Sequence, residues 1–395
     1  MLEQKESEAM IIMTNEQINN YHSFTICDTH LHLVYQDTLE KTIQIYTNIM
    51  DHYGYERIVL QCMLNDESGD ASNNAKALYV KSVMNATWPS RKVYANGTLF
   101  HYYDGRDTAD GYLRQVQLMD ALGFDGIKML DGKPNSRKKL GRRLDDPIFD
   151  KFYEYAEAHN MPFTYHVGDP AANWDITKIS KAALERGWFY DETFTTLEQL
   201  REEIEGILTK FPKLRITLAH FYFMGDDLEG TIKFFEKYPN VSFDLCPGGE
   251  MFVGFSKRPE EWREFFKKYA DRIYFGTDTY NMFYSENLED YEECMTAGYR
   301  INLTRRMLEW DTPFEDRFRG RLTPLNLDSD TLQKIYYDNC VARLGEPRKV
   351  DGKLAAAYAS SVLEKFEHGF VTTGDGAKDL VEMENLRKIY EYYRV

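Results

Sequence analysis

Eight short, nearly unbroken apolar runs punctuate the chain, at 23–27, 57–63, 92–99, 126–130, 162–166, 215–220, 241–245 and 272–275. Runs of this length without polar alternation predict strands buried on both faces, as in a parallel sheet. Amphipathic stretches between them predict helices at 38–52, 74–84, 111–122, 147–159, 196–211, 228–237 and 259–270. The stretch at 196–211 sets Leu197, Leu200, Ile204, Leu208 and Phe211 on one face; Thr195 and Glu198 offer it a capping box and Pro212 closes it. Eight β/α alternations predict an α/β fold, a (β/α)8 TIM barrel rather than an open sheet.

Two regions exceed a minimal barrel. Residues 169–195 form a long loop after the fifth strand, carrying Trp174, Trp188, Phe189 and Tyr190. Loops at that end of a barrel shape active sites. Residues 349–395 read as a C-terminal helical appendage, two helices around the turn Gly374-Asp375-Gly376. The expected organisation is therefore an N-terminal extension (1–21), a barrel (22–348) and the appendage (349–395), without internal repeats beyond the β/α alternation and without low-complexity segments.

Composition narrows the function. At 395 residues and 43% hydrophobic content the chain can bury a large core. A net charge of −16 repels phosphate backbones and anionic lipid, so neither nucleic acid nor a membrane is expected as a partner. Residues 1–20 lack a basic segment ahead of their short apolar patch, and no run approaches the roughly 20 apolar residues of a membrane span. Cys27, Cys62, Cys246, Cys294 and Cys340 are odd in number and widely spaced, which leads to the expectation of reduced, buried thiols in a cytoplasmic protein.

The candidate chemistry sits at the strand ends. His30 and His32 in Asp28-Thr29-His30-Leu31-His32 are two residues apart, so a strand points both imidazoles to one face. His166 ends the fifth run, His220 the sixth, and Asp278 follows the eighth in Phe275-Gly276-Thr277-Asp278; Lys128 lies late in the fourth. A lone strand-end histidine more often serves structure, and Asp278 alone would suit a helix cap. The chain, however, has nine histidines and four fall at strand ends, which a barrel gathers on one face. Imidazoles with a carboxylate suit one divalent ion, zinc first, with manganese, iron or nickel as alternatives.

These motifs, with Gly126-Ile127-Lys128, Tyr165-His166, Leu218-Ala219-His220 and the closing stretch from Ile335 to Gly345, resemble the amidohydrolase superfamily. The resemblance covers roughly 22–345 and is to the amidohydrolase-related (amidohydrolase 2) branch, which includes aminocarboxymuconate-semialdehyde decarboxylase, resorcylate decarboxylases and pyrone-dicarboxylate lactonase. It implies a mononuclear site in which His30, His32, His166 and Asp278 bind the metal, His220 stands near the water, and Asp278 accepts that water's proton. It also raises a carbamylated Lys128 bridging two metals, though a substrate-facing or supporting ammonium fits this branch better.

Tyr102 and Arg142, and the loop residue Trp174, are weaker candidates for holding an unsaturated or carboxylated substrate, with His101, Tyr103 and Arg143 beside them. Packing or surface roles compete for each. His22, His52, His159 and His368 read as structural or surface residues. Three functions follow: a metal-dependent hydrolase of a small cyclic ester, amide or related bond; a metal-dependent non-oxidative decarboxylase (a lyase) of an aromatic or unsaturated carboxylic acid; or a non-catalytic binding barrel. In each case the partner is a small molecule, and a homo-oligomer is left open.

Overall fold

The computed structural model describes residues 18, 20–33, 38–63, 70–247, 250–280, 287–288 and 295–394. Its main sheet runs β1 (Ile26–His32), β2 (Tyr55–Gln61), β3 (Lys92–Gly97), β4 (Gly126–Gly132), β5 (Phe163–Val167), β6 (Ile216–Leu218), β7 (Val241–Asp244), β8 (Ile273–Tyr274) and β9 (Thr279–Tyr280). Neighbours pair in parallel in chain order from β1 to β8. β8 and β9 are two halves of the eighth strand. β8 pairs with β7, whereas β9 crosses to β1, with Leu31 opposite Thr279 and His32 opposite Tyr280. Thr29 N donates to Phe275 O at 3.0 Å and Asp278 N to His30 O at 2.8 Å, so the sheet closes into the expected barrel.

Helices α1 (Leu39–Tyr53), α2 (Asn73–Thr87), α3 (Ala109–Leu122), α4 (Asp150–Ala158), α5 (Leu197–Lys210), α6 (Leu228–Lys237) and α7 (Pro259–Lys268) fall close to the predicted stretches. The capping box of α5 is formed by Thr196 and Gln199, not Thr195 and Glu198. Either pair satisfies the spacing rule, and the helix starts one residue later than the pattern suggested. The first strand also differs. Tyr21–Ser23 is a turn of 3-10 helix and β1 starts at Ile26, running far enough to include both histidines.

α8 (Ala297–Glu309) follows the eighth strand, and α9 (Asn339–Leu344) packs against β8. The appendage is a helical pair, α10 (Gly352–Glu367) and α11 (Gly376–Tyr393), docked on α2 and α3. Lys76 of α2 meets Glu382 of α11 at 2.9 Å with both side chains buried, and Ser72 also donates to that carboxylate. Gly123 is the turn where α3 ends. Its φ is +89°, and a Cβ there would lie 2.3 Å from Lys349 O, where the chain passes into the appendage. No helix among the described residues is long and apolar enough to cross a membrane.

The cysteines correct one expectation. Cys27 of β1 and Cys340 of α9 form a disulfide across 313 residues, while Cys62 and Cys246 are free and buried. Cys294 lies outside the described residues. Sequence spacing does not show that the first strand and the last barrel helix are neighbours, and an odd count is compatible with one bridge. The count therefore gives no ground for a reducing compartment. Alkylating the denatured chain with and without prior reduction should differ by two groups per molecule, by mass, because one disulfide is present. Equal labelling would show these thiols to be free.

Candidate metal centre

The carboxyl end of the barrel gathers His30, His32, Lys128, His166, His220, Asp244 and Asp278, all buried. His30 Nδ1 donates to Asp244 Oδ2 at 2.8 Å, and His32 Nδ1 donates to Gln61 O at 2.9 Å. With those nitrogens protonated, each Nε2 keeps its lone pair. The two Nε2 atoms lie 3.1 Å apart, and Asp278 Oδ1 lies 3.0 Å from His32 Nε2 and 3.9 Å from His30 Nε2.

That spacing tests whether a metal fits. Ligand atoms about 2.1 Å from a tetrahedral ion stand about 3.4 Å from one another. The three separations bracket that value. Without a cation, two lone pairs and a carboxylate oxygen this close repel. Lys128 Nζ, 2.8 Å from His30 Nε2, supplies one positive group, and burial lowers its pKa. The donor set therefore fits one divalent ion held by His30, His32 and Asp278.

His166 and His220 form a second pair rather than joining that triad directly. His166 Nδ1 and His220 Nε2 are 3.0 Å apart. His166 Nε2 points at Gly168 O at 3.0 Å and His220 Nδ1 at Cys246 O at 3.4 Å, so the facing nitrogens are again lone-pair donors. Burial is the main force keeping both rings neutral, pushing His166 down to about 4 and His220 to about 3. The His220 ring centroid is 5.8 Å from that of His30, which sets the second pair beside the first.

Both histidine strands are steadied from outside. Asp244 Oδ1 accepts from His220 N at 2.9 Å, so one carboxylate orients His30 and His220 together. Asp169 Oδ1 lies 3.5 Å from His166 Nε2; Lys133 donates to its Oδ2 at 2.9 Å, and the Tyr190 hydroxyl also donates to it. Gly276 lets the eighth strand approach: a Cβ there would stand 3.1 Å from both Cys246 Sγ and His30 Cβ.

The backbone is strained at two of these residues. His220, Phe221, Tyr222 and Phe223 all have φ between 51° and 57°, and Asp278 has φ 54°. Non-glycine residues in the left-handed region cost on the order of 1–2 kcal/mol each. At the His220 turn, packing offsets the strain: Phe221 is fully buried against Phe243, Phe255, Trp262 and Phe266. At Asp278 the guanidinium of Arg300 does so. Its Nη1 donates to Asp278 Oδ2 at 2.7 Å and to Thr277 O at 3.1 Å, and also to the Asp278 carbonyl. Burial works to raise the Asp278 pKa, but Arg300 and the neighbouring imidazoles outweigh it and hold the carboxyl well below its usual range.

The amidohydrolase family matches residues 85–344, well over half of the chain. The chain belongs to the amidohydrolase family. Members of this family are metal-dependent enzymes. The match begins after β1, so the placement of His30 and His32 rests on geometry. No curated protein matches the chain. Similar solved structures include an uncharacterised TIM-barrel protein from Bordetella bronchiseptica, at 14% identity over 82% of this chain and 100% of that one, TM-score 0.48. A 2,6-dihydroxybenzoate decarboxylase from Rhizobium is 15% identical over 81% of this chain and 98% of its own, TM-score 0.47. A 4-oxalomesaconate hydratase from Rhodopseudomonas palustris is 14% identical over 87% and 99%, TM-score 0.49.

Of the weaker sequence candidates in this amidohydrolase, Trp174, Tyr102 and Arg142, the first stands one residue from Asp169, through the bond that Tyr190 makes to it. Trp174 packs on Tyr190 at 4.8 Å within its own loop and donates to Thr195 O at 3.3 Å. Tyr102 packs edge-on against Phe100 beneath the Arg106 guanidinium and lines a cavity of about 230 Å³ shared with Tyr358, Val362 and Lys365 of the appendage. Arg142 is half-buried, and its charge acts on the Tyr112 phenol, which bonds His101 Nδ1 at 2.8 Å; His101 in turn meets Asp131 at 2.8 Å. The reading of the sequence missed Asp244 and Arg300. Asp244 was legible as a carboxylate at the end of a predicted strand. Arg300 was not, because it lies on a helix beyond the last predicted strand.

Dialysed protein should take up one divalent ion per chain, and His32→Ala should weaken that binding by more than about 100-fold, beyond the roughly 10–100-fold cost of losing an outer contact. His101→Ala should leave it unchanged. Equal affinity of the His32 variant and the parent, by calorimetry, would place the ion elsewhere.

Proposed function

We propose that this amidohydrolase is a metal-dependent hydrolase of a small cyclic ester, amide or related bond. The observation that carries the reading is Asp278 Oδ1 beside two neutral imidazole nitrogens at ligand spacing, at the end of the barrel where the loops converge. His30, His32 and Asp278 would hold the ion, with His166 contributing from the adjacent pair; zinc is the first expectation, then manganese, iron or nickel. When bound, such an ion polarises a carbonyl and lowers the pKa of a water from about 15.7 to about 7.

The chain's own groups account for the proton. Asp278 Oδ1 is the carboxylate oxygen left free of Arg300, and it accepts the proton from the attacking water. Because Arg300 keeps Asp278 a strong acid once protonated, the same residue passes that proton readily to the leaving group. His220 Nε2, neutral and bearing a lone pair, positions the water or polarises the substrate. Lys128 Nζ stands 2.8 Å from His30 Nε2, the atom that would bind the ion, so a bound ion would take the place of that contact and leave the lysine beside the site. Partners are small molecules; no nucleic acid or membrane is expected.

One observation favours a second reading. An ion-paired carboxylate is a poor base, and non-oxidative decarboxylation needs no water deprotonated. In that reaction the ionised Asp278 would position the substrate, and the proton that replaces the departing carboxyl group on carbon would come from water.

Asp278→Asn keeps one oxygen donor and removes the base. Turnover should collapse, and ion affinity should fall as well, because that one oxygen cannot serve both Arg300 and the ion. With the parent enzyme, solvent ¹⁸O entering the product supports hydrolysis, and carbon dioxide release from aromatic or dienoic acids supports the second reading. Full activity in Asp278→Asn would sink both. His220→Asn should lower turnover by roughly 10²–10⁴-fold, the range of a positioned acid–base group. Selective loss of the metal would make His220 a ligand, and unchanged turnover would make it structural.

A further inference from the structure

We infer that Arg300 is a positioning residue that divides the Asp278 carboxylate, committing one oxygen to the protein and leaving the other as a one-oxygen ligand for the ion. The inference rests on the metal site proposed above. Arg300 is buried on α8, and its Nη1 alone reaches three acceptors: Asp278 Oδ2 at 2.7 Å, Thr277 O at 3.1 Å and the Asp278 carbonyl. Its Nη2 is 2.8 Å from Met295 Sδ, and its Nε has no partner among the described residues.

These contacts act on both parts of Asp278. The two carbonyls belong to the peptide units on either side of the left-handed residue, so the guanidinium stabilises the turn that aims the carboxylate. The bond to Oδ2 then fixes its rotation. Oδ1 is left 3.0 Å from His32 Nε2. A carboxylate free of Arg300 could turn both oxygens to an ion, and carboxylates bind metals in both one- and two-oxygen modes. Arg300 thus selects a low coordination number and keeps a place open for substrate or water. Lysine keeps the charge, but its shorter side chain does not carry its nitrogen to the place where Nη1 meets its three acceptors.

The test reads the metal without substrate, so it stands apart from the choice between hydrolysis and decarboxylation. Zn²⁺ affinity, the visible spectrum of the Co²⁺-loaded protein and thermal unfolding are compared for the parent, Arg300→Met and Arg300→Lys. The inference expects both variants to unfold cooperatively. In Arg300→Met, Zn²⁺ affinity should change by roughly 10–100-fold, as for loss of an outer contact to a ligand. Its Co²⁺ bands should weaken and shift as coordination rises. Arg300→Lys should fall between. A lower melting temperature with affinity and spectrum unchanged would make Arg300 merely structural and overturn the inference. If Arg300→Met does not fold, Arg300→Lys decides it: a Co²⁺ spectrum identical to the parent's refutes the role. A parent protein that binds no Co²⁺ would refute both this inference and the proposed metal site, whereas a parent that binds Co²⁺ but hydrolyses nothing would refute the hydrolase reading alone.

Discussion

The site depends on the seam where β1 meets the broken eighth strand. Asp28 builds that seam from one side: its Oδ2 accepts from the Thr277 hydroxyl at 2.6 Å and its Oδ1 from Thr277 N at 3.2 Å and His30 N at 3.0 Å. One buried carboxylate therefore ties the backbone that carries His30 to the backbone that carries Asp278. The bond from Asp278 N to His30 O, and the pairing of β9 with β1, complete the closure. Separate β1 from the eighth strand and the imidazole pair loses its carboxylate. The closure of the fold and the assembly of the ligand set are the same event.

Electrostatics then explains why so many polar groups tolerate burial here. Burial drives the imidazoles neutral, which removes the cost of charge but leaves lone pairs facing one another at 3.0–3.1 Å. Such an arrangement is favourable only with cations nearby. Lys128 and Arg300 supply two, one against His30 and one against Asp278. The remaining crowding is what a divalent ion relieves, and Asp244, which fixes the tautomer of His30, makes that relief directional.

What was legible in the sequence follows from periodicity. Alternation of apolar runs with amphipathic stretches showed the barrel because its strands are buried on both faces, and His30 and His32 stood out because a strand repeats every two residues. His166 and Asp278 were found as strand-end residues, but their partners were not, since pairing across the barrel depends on closure. Local rules missed by a residue where two polar pairs satisfied one spacing, as at Thr195 and Thr196. They failed outright for contacts that span the chain: Cys27 with Cys340, and Arg300 with Asp278. Tyr102 and Arg142 stood out because they follow strands, a rule that places a residue at the right end of the barrel without saying which neighbours it meets there.

The two residues proposed to handle the proton, His220 and Asp278, are also the two of the cluster whose backbone leaves the regular strand. A side chain within a parallel strand is aimed by the pleat, which suits a ligand that has only to stay still. His30, His32 and His166 are of that kind. A group that must face both a bound ion and a substrate needs an aim the pleat does not provide, and left-handed backbone supplies it, at Asp278 alone and over His220–Phe223. The cost is local strain, offset at His220 by the aromatic packing of Phe221 and at Asp278 by three bonds from one guanidinium. In the proposed site the regular strands thus carry the three imidazole ligands and the two irregular strand ends the residues that face substrate, so substitutions that relax those turns should disturb the chemistry before they disturb the fold.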